Sequence, residues 1–120
     1  MSLEEYQRKA MTTCMESSNN FCYMMLNLVG EVGEFSSKVA KAIRKRKALV
    51  EWNHLVTEHE VAMTDDELDD LKKEAGDILW QLSGLCTVMG WKLEDVAQEN
   101  LAKLSDRKDR NVIAGNGDNR

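Results

Sequence analysis

Four acidic residues carry the spacing most suggestive of chemistry: Glu31 and Glu34 in Glu31-Val32-Gly33-Glu34, and Glu74 and Asp77 in Glu74-Ala75-Gly76-Asp77. Each pair lies three residues apart in a segment with helical periodicity, so its side chains share one helix face with roots roughly 5–6 Å apart. Two such helices facing each other gather four carboxylates. Like charges about 4 Å apart repel by roughly 4 kcal/mol at an effective dielectric near 20, and a hard divalent cation bound through carboxylate oxygens reverses that sign. Mg²⁺ is the usual choice where phosphates complete the coordination, with Mn²⁺ as a substitute. Gly30, Gly33 and Gly76 interrupt helices at a cost of roughly 1 kcal/mol each against Ala. Close helix approach or room for water beside the acids would offset that cost.

The elements that must position these acids read as an all-α bundle of four main helices. The absence of proline and the low aromatic content favour helix. The first helix opens at Ser2, with Glu5 reaching back as a capping box, and runs to about Glu16. In the second, Phe21, Met25, Leu28, Val32, Phe35, Val39 and Ala42 form a seam flanked by Glu31 and Glu34. Lys38, Lys41 and Lys45 continue as a stripe, from which Lys38, one turn beyond Glu34, is the candidate phosphate contact. The third helix starts at Thr64 with Glu67 completing a capping box, buries Leu68, Leu71, Ala75, Ile78, Leu82, Leu85 and Met89, and stops at Gly90. The fourth spans about Leu93 to Lys108 and buries Leu93, Ala97, Leu101 and Leu104. On it Asn100, Lys103 and Arg107 form a stripe of an amide and two cations suited to phosphate oxygens.

Two stretches read less regularly. Leu49, Trp52, Leu55 and Val56 suggest a short inserted helix between the second and third, with His54 and His59 on its surface. Trp52, and Trp80 one turn beyond Asp77, are the aromatic candidates for a base pocket. Residues 1–108 form one domain, and 109–120 an irregular tail whose Gly-rich end, closing on Arg120, could fold over an anionic ligand.

Composition excludes some classes. At a net charge of −5, long nucleic acid is a poor partner, although Arg44, Arg46 and Lys47 form a small basic cluster. No apolar run approaches the roughly 20 residues that cross a bilayer. Cys14, Cys22 and Cys86 have no metal-type spacing, and their odd number argues against a disulfide framework, as a reducing cytoplasm would have it.

Taken together, Glu31-x-x-Glu34, Glu74-x-x-Asp77, the following Ile78-Leu79-Trp80 and the late Asn100-x-x-Lys103-x-x-x-Arg107 resemble the all-α nucleoside triphosphate pyrophosphohydrolases, the MazG-like superfamily that includes dimeric dUTPases. The likeness runs from about residue 21 to the end. It implies a helical homodimer or homotetramer with Mg²⁺ on Glu31, Glu34, Glu74 and Asp77. It also implies phosphate contacts from Asn100, Lys103 and Arg107, and cleavage of a nucleoside triphosphate between its α and β phosphates. The tail is similar to that of some bacterial and phage members, which makes it a candidate substrate flap. The segment from Phe35 to Lys73 exceeds the family's usual gap, so base specificity does not transfer. Glu34 is the candidate base for water activation. A carboxylate-bridged di-iron bundle would need Glu-x-x-His motifs that are absent here. A non-catalytic helical interaction module is the alternative from a different class.

Overall fold

The computed structural model describes all residues, 1–120. Four α-helices follow in order, α1 (Leu3–Met11), α2 (Phe21–Arg44), α3 (Asp65–Val88) and α4 (Leu93–Asp109), with a 3₁₀ turn at Glu16–Ser18. A small antiparallel hairpin, β1 (Leu49–Glu51) and β2 (His54–Val56), lies between α2 and α3.

The helix boundaries follow local chemistry. Thr64 accepts from the Glu67 amide while the Glu67 carboxylate accepts from the Thr64 amide, the expected capping box, with Asp65 and Asp66 over the positive helix end. At α1 only half of that device forms: Ser2 Oγ accepts from the Glu5 amide, and the Glu5 carboxylate pairs instead with Lys9 at 2.8 Å. The first helix ends at Met11, short of Glu16, because Thr12 and Thr13 turn their hydroxyls onto the Lys9 and Ala10 carbonyls at 2.6 and 2.7 Å. Gly90, at φ 75°, ends the turn after α3 as expected.

The inserted helix is a correction: residues 49–56 form the hairpin, with Leu49 opposite Val56 and Glu51 opposite His54. Its two turn residues, Trp52 and Asn53, both take positive φ, 52° and 63°, the type I′ signature that matches strand twist. Leu49, Val50, Leu55 and Val56 suit a pleated ribbon, and three-residue strands are too short to show their period.

Packing departs from the expected seams. α3 packs along α2 and α1, while α4 touches α1 and α3. Met24 and Ala42 are the buried residues of α2, whereas Phe21, Met25 and Val32 are exposed. On α3 Ala75 and Leu82 are exposed, as is Met89 at its C-cap, and on α4 so are Leu101 and Leu104. The physical reason is that no element of this chain lies over those faces. The radius of gyration, 17.8 Å, exceeds the roughly 14 Å of a compact chain of this length.

A small cluster of Ala42, Ala48 and Met63, with Leu68 against it, joins the hairpin to the end of α2 and the start of α3. Lys47 and Glu67 pair beside it at 2.8 Å. At the other end the Gln7 amide donates to Thr87 Oγ1 and the Trp91 carbonyl and accepts from the Leu93 amide, stitching α1 to the α3–α4 corner. Cys14, Cys22 and Cys86 are free thiols, and no helix is long and apolar enough to cross a membrane.

Candidate metal centre

α2 and α3 run side by side, and their close approach is made at Gly84, where an added Cβ would fall on the Met24 side chain. The glycines of the acidic signatures have a different setting: a Cβ at Gly33 or Gly76 would meet nothing within 4 Å. They border open space, so close helix approach does not explain them.

The packing brings Glu31 of α2 together with Glu74 and Asp77 of α3, one carboxylate oxygen from each lying within 4.8 Å of the others. Glu34, one turn along α2, is exposed and not within that spacing of all three, yet its carboxylate borders both Glu31 and Glu74. Glu31 Oε2 and Glu74 Oε2 are both buried without a hydrogen-bond partner. Buried polar atoms are rarely left so, and two orphaned carboxylate oxygens in one cluster are what a cation would satisfy.

The electrostatics agree. Burial, then the charges of Glu34, Asp77 and Glu74, push the Glu31 carboxyl above its ordinary value. Glu74 goes the opposite way, held low by the hydrogen bond from Lys38, whose Nζ lies 2.7 Å from Glu74 Oε1. Lys38 is raised in turn by the same bond. The cluster therefore keeps an excess of negative charge, with one lysine on one of its acids. An all-oxygen set of this kind suits a hard divalent ion and lacks the His or Cys ligands of zinc.

The remaining site residues lie elsewhere. Lys103 Nζ and Arg107 Nη2 each lie 3.0 Å from Asp118 Oδ1 of the tail. Arg107 is 4% exposed and also donates to the Asp118 carbonyl. Those two cations hold the Asp118 carboxyl below its usual range. Asn100 is exposed on the same helix. Arg120 folds back on its own tail, donating to the carbonyls of Val112, Ile113 and Gly117. Trp52, at the hairpin tip, is 88% exposed. Trp80 has its indole N–H committed to α1, donating to the Ala10 carbonyl and Thr13 Oγ1.

Two residues near the acids were not singled out from sequence. Asn27 Nδ2 donates to Gln81 Oε1 at 2.8 Å and lies 3.4 Å from Glu31 Oε1. Their signal was an amide on the inward face of each long helix, where a buried polar group demands a partner.

Residues 20–112 match the MazG nucleotide pyrophosphohydrolase domain. The chain is also 35% identical, over 127 aligned positions spanning 100% of both proteins, to the Gene 37 protein of Mycobacterium phage L5. No solved structure matches it. The matched residues cover most of the chain, both acidic signatures and the α4 stripe among them: this chain belongs to the MazG nucleotide pyrophosphohydrolase family.

Proposed function

We propose that the protein is a Mg²⁺-dependent pyrophosphohydrolase that cleaves a nucleoside or deoxynucleoside triphosphate between its α and β phosphates. The observation that carries this reading is the pair of orphaned oxygens, Glu31 Oε2 and Glu74 Oε2, in a cluster with Asp77. Glu31, Glu74 and Asp77, with Glu34 beside them, would hold the metal. When bound, Mg²⁺ neutralises phosphate charge and lowers the pKa of water, Mn²⁺ being a workable replacement.

Glu34 takes the role of general base, since it lies outside the triad and faces water. It accepts a proton as water oxygen bonds to the α-phosphorus and the bond to the bridging oxygen breaks, releasing pyrophosphate and leaving the monophosphate. Lys38, poised beside Glu74, is placed to meet a phosphate oxygen. Asn100, Lys103 and Arg107 bind the departing phosphates, and residues 109–120 act as a flap, the substrate replacing the Asp118 carboxylate on Lys103 and Arg107.

The working form is a homodimer or homotetramer. Only 13 of 120 residues are buried, while Phe21, Leu26, Val29 and Val32 on α2 and Leu101 on α4 are exposed. That much bare apolar side chain calls for a second copy.

The experiment is pyrophosphate release from a panel of nucleoside triphosphates with Mg²⁺. Glu34→Gln should lower the rate on the order of 10²–10⁴-fold, and Asp77→Asn should abolish it at ordinary Mg²⁺ levels. A folded, metal-supplied protein that hydrolyses none of them would leave the non-catalytic helical oligomerisation module as the better account.

A further inference from the structure

The acids alone do not explain why Glu31 holds its place. It stands half-buried in a patch of like charge that repels it, and the lysine beside the cluster pairs with Glu74. The group that reaches Glu31 from outside the acidic set is the Asn27 amide, one helical turn earlier.

The orientation of that amide is dictated from across the helix interface. Gln81, 2% exposed, places its Nε2 toward the Met24 carbonyl, which can only accept. Gln81 Oε1 is thereby turned to Asn27, which must present its Nδ2, and does so at 2.8 Å. That nitrogen has a second hydrogen, with the Glu31 carboxylate and the Tyr23 hydroxyl both at 3.4 Å. A charged acceptor binds more strongly than a neutral one, so the hydrogen goes to Glu31 Oε1. Its other oxygen, Oε2, remains buried and unpartnered.

We propose that Asn27 and Gln81 are positioning residues for the metal centre: Gln81 fixes the Asn27 amide, and Asn27 fixes the rotamer of Glu31 so that its free oxygen serves the cation. The inference rests on the metal reading of the acidic cluster. The choice of an amide matters. Lys38 has already offset one carboxylate, and a second cation on Glu31 would remove charge that a divalent ion needs. A neutral donor orients the carboxylate and leaves its charge intact. Gln81 is one turn beyond Asp77 and Asn27 one turn before Glu31, so the bridge also sets the register of the two acid-bearing helices.

The test is Mn²⁺ binding to the full-length protein, followed by calorimetry without nucleotide, for wild type, Asn27→Ala, Gln81→Met and the double variant. Alanine suits a helix, and methionine fills the glutamine volume, so both should fold; far-UV circular dichroism checks this. Asn27→Ala should weaken Mn²⁺ binding roughly 10–100-fold, the usual loss when a ligand's hydrogen-bond partner is removed. Gln81→Met should weaken it in wild type and add little in the Asn27→Ala background, because its effect passes through Asn27. Asn27→Ser, which keeps a small donor, should recover part of the loss. Unchanged affinity in Asn27→Ala, or independent additive losses, would overturn the positioning role alone. A wild-type protein that binds no Mn²⁺ would overturn the metal reading and this inference with it.

Discussion

Replacing Glu31 with glutamine should make the metal-free protein more stable and the metal-supplied protein less stable than wild type. Unit charges 4.8 Å apart, the spread of the triad, repel by about 3 kcal/mol at an effective dielectric near 20. Asp77 faces water and Lys38 offsets Glu74, so roughly 1 kcal/mol of relief is expected from removing the Glu31 charge. At this chain length that raises the unfolding midpoint by roughly 3–5 °C. Mg²⁺ at about 100 times its dissociation constant would stabilise wild type by about 2.7 kcal/mol and the variant far less, so the two melting curves should exchange order. The assay is thermal unfolding at one fixed protein concentration, in chelator and then in Mg²⁺. Stability in chelator should also depend on pH. Glu31 is held above its ordinary 4.5 in the fold, so its penalty is absent below that value, where both states are protonated, and grows as pH rises through the folded value. The advantage of Glu31→Gln in chelator should vanish in acid. A variant less stable than wild type in chelator at neutral pH, or one that Mg²⁺ stabilises as strongly as wild type, would refute the reasoning.

Three further outcomes are expected. Asp118→Asn should tighten pyrophosphate binding several-fold by releasing Lys103 and Arg107; weaker binding in calorimetry would mean that the tail carboxylate assists the site. Glu67, held down to about 2 by Lys47 and the Thr64 amide, should contribute stability that is fully present above its ordinary 4.5 and fades as pH falls toward 2. An acid-unfolding series should therefore lose part of its slope in Glu67→Gln. Trp52→Asn should stabilise the protein by about 1 kcal/mol, since a bulky residue at positive φ is strained and the exposed indole has little packing to lose; a lower melting temperature would show that the ring has a contact of its own.

The parts of the fold legible in sequence were those in which local chemistry and tertiary packing agree. Thr64 and Glu67 announce a helix start by their own hydrogen bonds, and the spacing of Glu74 and Asp77 survives any arrangement of the helix around it. The hairpin was hidden because its strands are three residues long and its turn is Trp52-Asn53, where the familiar signal would be Asn-Gly. A buried seam inferred from periodicity presumes that each helix meets neighbours from its own chain, which fails for Val32 and Leu101. Of the four acids, spacing could place each pair on a helix face but could not show which carboxylates converge most tightly, Glu31, Glu74 and Asp77. The Asn27–Gln81 bridge spans 54 residues, beyond the reach of any local pattern.

The Gln7 side chain also bears on the order in which the molecule assembles. Its partners lie 80, 84 and 86 residues away, so in a growing chain these bonds must wait until Leu93 has emerged. Contacts of such separation form late and slow folding. Helix α4, with Lys103 and Arg107 on it, takes its seat from α3 and from this late contact with α1. Shortening the amino terminus through Gln7 would remove the bonds that tie the start of α4 to α1, loosening the helix that carries Lys103 and Arg107.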